Sequence, residues 1–170
     1  LALIDAALAR ADFVQIPVLP EPQPQSRWIG SHYCEEFAEA HGKSMVVRGQ
    51  LGAALPAAGV GCAFARELVG TIAEGMPGKA PFSVESLTED YELGLKIKAA
   101  GGIAWFLRAR GEDGRLVATR AYFPPTLPQA VRQKARWVHG IALQGWDRLG
   151  WSGGAVETWM RLRDRRGPLT

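Results

Sequence analysis

Leu3, Ala6 and Ala7 fall at helical spacing and predict a first helix over Leu1 to Arg10. Beyond Asp12, Phe13-Val14-Gln15-Ile16-Pro17-Val18 has the β-branched and aromatic content of a strand. Leu19 to Ser26 carries prolines at alternating positions and is expected to be a loop, since proline removes an amide donor and breaks a helix. A second helix is predicted from Trp28 to His41, with Trp28, Tyr33, Phe37 and Ala38 on or near its buried side. Ser44 to Val60 has a mixed, Gly/Ala-rich pattern. Gly59-Val60-Gly61-Cys62-Ala63-Phe64 then leads into a helix expected over Ala65 to Glu74. A Gly-x-Gly before a helix lets backbone approach a ligand closely, and it suits a tight strand-to-helix turn equally well.

Ser83 to Ala100 predicts a helix with Leu93, Ile97 and Ala100 as its apolar stripe and Gly101-Gly102 as its stop. Ser86 and Glu89 have capping-box spacing, and Thr88 could cap as well. Two strands, Ile103 to Leu107 and Leu116 to Tyr122, are joined by Arg110-Gly111-Glu112-Asp113-Gly114, whose Asp-Gly predicts a hairpin. Pro124-Pro125-Thr126 breaks the chain before a long amphipathic helix, Leu127 to about Leu149, with Val131, Ala135, Val138 and Ala142 as an apolar stripe.

Composition adds three constraints. The chain has 170 residues, 47% hydrophobic and 22% charged, enough for one packed domain or one piece of a larger one. Its net charge of +3 is too small to argue for nucleic acid, but the charge is unevenly placed. Residues 1–131 carry 12 Lys/Arg against 14 Asp/Glu, while residues 132–170 carry 8 against 3 and hold four of the six tryptophans. Such an end suits phosphate groups or an anionic membrane surface, or simply a solvated basic helix. Cys34 and Cys62 form no CxxC and no metal-ligand spacing, which fits a reducing setting. The longest uncharged run, Gly49 to Ala65, is interrupted by Pro56 and does not predict a membrane span. The ends look cut, so an excised soluble segment is expected.

Two short motifs carry the candidate chemistry. In Thr88-Glu89-Asp90, acidic residues in a helix's first turn complement its dipole. A carboxylate there can also act as general base. In Gln133-Lys134-Ala135-Arg136-Trp137, residues Gln133, Arg136, Trp137 and Gly140 share one helical face. A guanidinium suits a diphosphate leaving group, and an indole offers a flat surface to a sugar ring. Without the first motif, this pattern equally describes a packed Trp beside a snorkelling Arg.

Together, in order, the motifs resemble the catalytic signature of processive family 2 glycosyltransferases, such as cellulose and hyaluronan synthases. Gly59 to Phe64 resembles that family's Gly-rich segment near the acceptor site. Thr119 to Gly167 is especially similar to the phage-adsorption protein B type of glycosyltransferase, through Thr-Arg-Ala-Tyr-Phe-Pro, Ala-Val-Arg-Gln-Lys-Ala-Arg-Trp and Arg-Asp-Arg-Arg-Gly. The resemblance implies an α/β fold, the C-terminal portion of a GT-A (Rossmann-like) domain over residues 1–126. An amphipathic interface helix and basic tail would follow over 127–170, with Trp137 to Trp159 as the membrane-interface region.

It further implies Asp90, with Glu89, as catalytic residues, and Thr88, Gln133, Arg136, Trp137, Gly59, Gly61 and Cys62 as substrate-binding residues. The expected partners are a nucleotide-sugar donor, a saccharide or lipid-linked acceptor and the inner-membrane surface, at the cytoplasmic face of a bacterial inner membrane. An Asp-x-Asp motif, which holds a divalent metal in the family, is missing from this sequence. Mg²⁺ or Mn²⁺ is therefore expected to bind residues upstream, and the 170 residues alone are expected not to turn over. The alternative is a non-catalytic envelope or phage-receptor scaffold that retains the fold. Finally, Arg161-Leu162-Arg163-Asp164-Arg165 fits the Arg-x-x-x-Arg half of the cyclic di-GMP sites of PilZ domains, whose second half is absent.

Overall fold

A computed structural model of the chain describes residues 2–83, 85–151 and 153–167. Leu1, where the first predicted helix begins, and Val84, inside the predicted Ser83 to Ala100 helix, lie outside the described residues. Fifteen of the described segments matter for placing the site. In chain order they are α1 (Ala2–Leu8), β1 (Phe13–Gln15), β2 (Val18–Pro20), α2 (Arg27–Glu39), a π-helical stretch (Ala40–Ser44) and α3 (Met45–Gln50). Next come β3 (Cys62–Phe64), α4 (Arg66–Glu74), α5 (Glu89–Ala99), β4 (Ala104–Phe106) and β5 (Thr119–Ala121). The last are α6 (Leu127–Trp137), a second π-helical stretch (Val138–Gln144), α7 (Gly145–Leu149) and α8 (Ala155–Arg166).

The sheets differ from the predicted hairpin. β1 is central in a three-stranded sheet, antiparallel to β3 and parallel to β4, with Phe13 opposite both Phe64 and Ala104. β2 pairs in parallel with β5, Val18 opposite Thr119. The predicted strand at 13–18 is thus two short strands that feed two sheets, and β2 runs into the stretch expected to be a loop. The Asp-Gly turn does form, but it closes only the Arg110 to Leu116 bridge beyond the strands. The reason is burial. Phe13 and Val14 are 0% and 1% exposed, and their partner strand β4 brings them under α5, which local turn chemistry does not encode.

Phe13, Met45, Leu55, Ala57 and Ile97 form the largest buried cluster, with Phe13 stacked on Phe64 at 4.7 Å. Truncating such a residue to Ala costs on the order of 3–5 kcal/mol. α5 passes through the centre, with Tyr91 to Leu95 buried all round. It lies directly on backbone at Gly94, where a Cβ would sit 2.5 Å from the Ala57 nitrogen.

Several local expectations change. Trp28 is 88% exposed and Ala38 is also exposed, while Tyr33 fills the buried side of α2. Ala7 is buried, but Leu3 and Ala6 are not. In α5, Leu93 and Ile97 are buried and Ala100 is exposed. Helix α2 does not end near His41 but continues through the π-helical stretch to Gln50. The Ser86 to Glu89 capping box is not formed, because Ser86 Oγ donates to Glu92 Oε1 at 2.7 Å. Val131 and Ala135 of the predicted apolar stripe face solvent, whereas Ala142 is buried.

Candidate functional site

The two motifs meet where the second π-helical stretch crosses the N-terminus of α5. Gly140 lies against Thr88, and a Cβ there would fall 2.6 Å from Thr88 Oγ1 and Cγ2. Thr88 occupies the N-cap position of α5 without a side-chain cap bond. Instead its N–H donates to Ser86 Oγ at 3.3 Å. Thr88 Oγ1 is buried and has no partner. A buried hydroxyl left unpaired loses the hydrogen bonds it would make in water, so this oxygen is a feature to be explained.

Asp90 is in the first turn of α5. Its Oδ1 accepts from the Tyr91 N–H at 2.8 Å. Gly59, at φ +72°, leaves the space for its other oxygen, since a Cβ there would lie 2.7 Å from Asp90 Oδ2. Burial pushes the Asp90 carboxyl above its ordinary range, and neighbouring Glu89 pushes the same way. The bond from Tyr91 N–H and the Arg136 guanidinium act against that shift. Burial, and then the Asp90 charge, also raise the Cys62 thiol.

The loop carrying Gly59 and Gly61 is held by Gln15, a polar residue in the middle of an apolar strand. Its Nε2 donates to the carbonyls of Val60 at 2.9 Å and Gly61 at 3.1 Å, and its Oε1 accepts from Ala58 N–H at 2.9 Å. Gly61 itself packs on Thr119 and Ile16. A strand, β3, intervenes between the glycines and α4, so they do not open a helix. They bring backbone against Asp90 instead.

On α6, Gln133 Oε1 is buried without a partner. Arg136 is exposed, yet close enough for its charge to act on Asp90. Trp137 is half-buried, edge-on to Tyr33 at 6.1 Å, with Lys134 Nζ 5.0 Å above its ring. Lys134 also pairs with Glu36 of α2, which fixes the two helices together.

Thr88, Asp90 and Trp137 line one cavity of about 430 Å³, closed on the far side by Phe37, His41 and Met45 of the α2–α3 segment. That size is typical of a small-molecule site. Gly59, Gly61, Cys62, Gln133 and Arg136 stand beside this cavity rather than on its wall, and Glu89 is exposed.

Helix α8 clamps the site from behind. Arg48 of α3 makes a bidentate pair with Asp164, at 2.6 and 2.8 Å, and Tyr91 Oη donates to Asp164 Oδ2 at 2.9 Å. Arg161 and Arg165 are buried, donating to the carbonyls of Leu149, Gly150 and Gly145. Arg165 also stacks over Trp151 at 4.0 Å. The arginine run is therefore internal scaffolding, and Arg161 and Arg165 are not displayed for a nucleotide. Nothing in the spacing marks Arg48 or His41. Gln15 had a signal, because a polar side chain inside an apolar strand needs partners once buried.

No three His, Cys, Asp or Glu side chains gather as a possible metal site among the described residues. Asp90 has a thiol and a guanidinium near it rather than the further carboxylates a hard divalent cation takes, so this site does not fit one.

A family model described as "Glycosyl transferase family group 2" matches residues 1–170. "Bacteriophage adsorption protein B" of Escherichia coli (strain K12) is 35% identical over 186 residues, covering 100% of this chain and 25% of that protein. "Bacteriophage N4 adsorption protein B" of Escherichia coli O157:H7 gives the same identity and coverage. The chain thus spans about a quarter of the length of these relatives.

Proposed function

This chain belongs to glycosyl transferase family group 2, and we propose that it supplies the base and leaving-group side of an inverting glycosyltransferase site. Its mixed α/β arrangement, small sheets among many helices, is consistent with part of a GT-A domain. The observation that carries the reading is the contact of Gly140 with Thr88, which sets Asp90 and Trp137 on the wall of one cavity.

In this reading the acceptor hydroxyl enters the cavity and gives its proton to an Asp90 carboxylate oxygen. The acceptor oxygen attacks the anomeric carbon of a nucleotide sugar while the carbon–oxygen bond to the diphosphate breaks, and the diphosphate leaves with that electron pair. Attack opposite the leaving group inverts the anomeric centre. A carboxylate whose pKa burial has raised is a better base near neutral pH than an ordinary one. Arg136, exposed beside Asp90, faces the side from which a diphosphate approaches and favours its growing charge. Trp137 offers an apolar face to the acceptor ring. No step is assigned here to a metal ion; Mg²⁺ or Mn²⁺ would be held by residues outside this chain.

Exposed Trp146, Trp159, Leu143 and Leu162, set among the basic residues after position 131, support a second element of the proposal. This end of the molecule rests on an anionic membrane surface. Among the described residues, no helix is long and apolar enough to cross a membrane.

Calorimetry of the full-length protein with UDP- and GDP-sugars tests the enzyme reading. Metal-dependent binding of one donor is expected, with no transfer by the 170 residues alone. A scaffold that merely retains the fold would bind none.

A further inference from the structure

His41 stands at the cavity in a fixed chemical form. It lies in the π-helical stretch after α2 and is 7% exposed. The Val18 N–H donates to its Nδ1 at 3.0 Å, so in the neutral ring the proton sits on Nε2. Burial pushes the ring's pKa down to about 4, which keeps it neutral at physiological pH. Phe37 stacks on the ring at 5.3 Å and Phe106 meets it edge-on at 5.7 Å. The Nε2–H has no acceptor among the described residues. It is left as a donor on a residue that lines the same cavity as Thr88, Asp90 and Trp137.

The charges of the wall indicate what that donor meets. Glu36 is paired with Lys134, Glu39 with Lys43 and Asp164 with Arg48. Arg163 is exposed and reaches Ser44 Oγ at 3.3 Å. A phosphate or uronate in the cavity would find its inner cation, Arg48, already matched by a carboxylate. A neutral polyol meets a neutral donor, the unpaired Thr88 hydroxyl and an indole.

We propose that His41 is a further substrate-binding residue, its Nε2–H donating to a hydroxyl of an uncharged sugar held in the cavity against Trp137. This deepens the acceptor-site reading above and rests on it.

The test is calorimetry on the full-length protein in detergent with maltotetraose, cellotetraose, chitotetraose, mannotetraose and glucuronate, and separately with UDP and GDP plus Mg²⁺. His41→Asn keeps an acceptor for Val18 N–H but has no donor at the reach of Nε2, whereas His41→Gln carries an amide N–H there. One neutral tetrasaccharide should bind and glucuronate should not. His41→Asn should weaken the sugar by about threefold to tenfold, the loss of one hydrogen bond, and His41→Gln by less. Nucleotide binding should be the same in both variants.

A readout without substitution accompanies it. The bound sugar should slow hydrogen exchange at the His41 Cε1 position, followed by mass spectrometry. Undiminished sugar affinity in His41→Asn, unchanged Cε1 exchange, or a wild type that binds nucleotide but none of the neutral sugars would each overturn the role of His41. Failure to bind any nucleotide would count instead against the glycosyltransferase reading itself.

Discussion

Gly140 touches Thr88 so closely that no side chain fits between them, and this contact joins two motifs that are far apart in sequence. It fixes how near the Trp137 helix can approach the helix that begins with Asp90. We predict that Gly140→Ala forces the helices apart and lowers transfer more than it lowers stability. Thr88→Ala in the same protein should restore much of the melting temperature, because it removes the atoms the new methyl meets. A double-mutant cycle on unfolding free energy checks this, and simple additivity would contradict it.

Asp90 separates activity from stability. Its folded pKa is raised, so the folded chain holds this proton more tightly than the unfolded chain does. The stabilisation is complete below the ordinary carboxylate pKa and is lost as pH rises through the folded value. We therefore predict that Asp90→Asn melts higher than the wild type at pH 7, with the gap closing near pH 4. Transfer by the full-length variant should fall by about 10²–10⁴. Unchanged activity would remove Asp90 as the base.

The Arg48 to Asp164 pair is deeply placed, its side chains only 6% and 13% exposed. Asp164→Ala would leave a buried guanidinium unmatched, and a destabilisation of about 3–5 kcal/mol is expected in chemical unfolding. Arg48→Met with Asp164→Leu should lose much less, since both charges go together. Equal losses would show that the pair is not what holds α8.

Membrane contact has its own test. Trp159→Ser with Leu162→Ser should reduce sedimentation with phosphatidylglycerol-containing vesicles while leaving the melting temperature close to wild type, because both residues are largely exposed. Full retention of vesicle binding would place the contact elsewhere.

Helix periodicity was legible wherever one face is buried, as at Leu93 and Ile97, and the motif residues Thr88, Asp90 and Trp137 were found by chemistry and spacing. Strand pairing was not, because Phe13 and Val18 choose partners that lie about ninety or more residues away, and tertiary burial decides between those and a local turn. The face of α6 was misjudged for a related reason. Its apolar residues Val131 and Ala135 stay outside, while Gln133 and Gly140 turn inward to meet α5 and its surroundings. His41 and Arg48 were invisible as single polar residues in helical sequence. Their meaning comes from Val18 and Asp164, which only the folded chain brings to them.

Both long helical segments beside the cavity contain a π-helical stretch, Ala40–Ser44 and Val138–Gln144. A helix turns by about 100° for each residue. Removing one residue from either stretch would therefore re-index everything after it rather than make a local gap. In the second stretch, the carbonyl of Gly145 would swing away from Arg165, and α8 would lose its footing although every contacting side chain was still present. The site is thus more sensitive to the count of residues between its two motifs and their supports than to the identity of most of them.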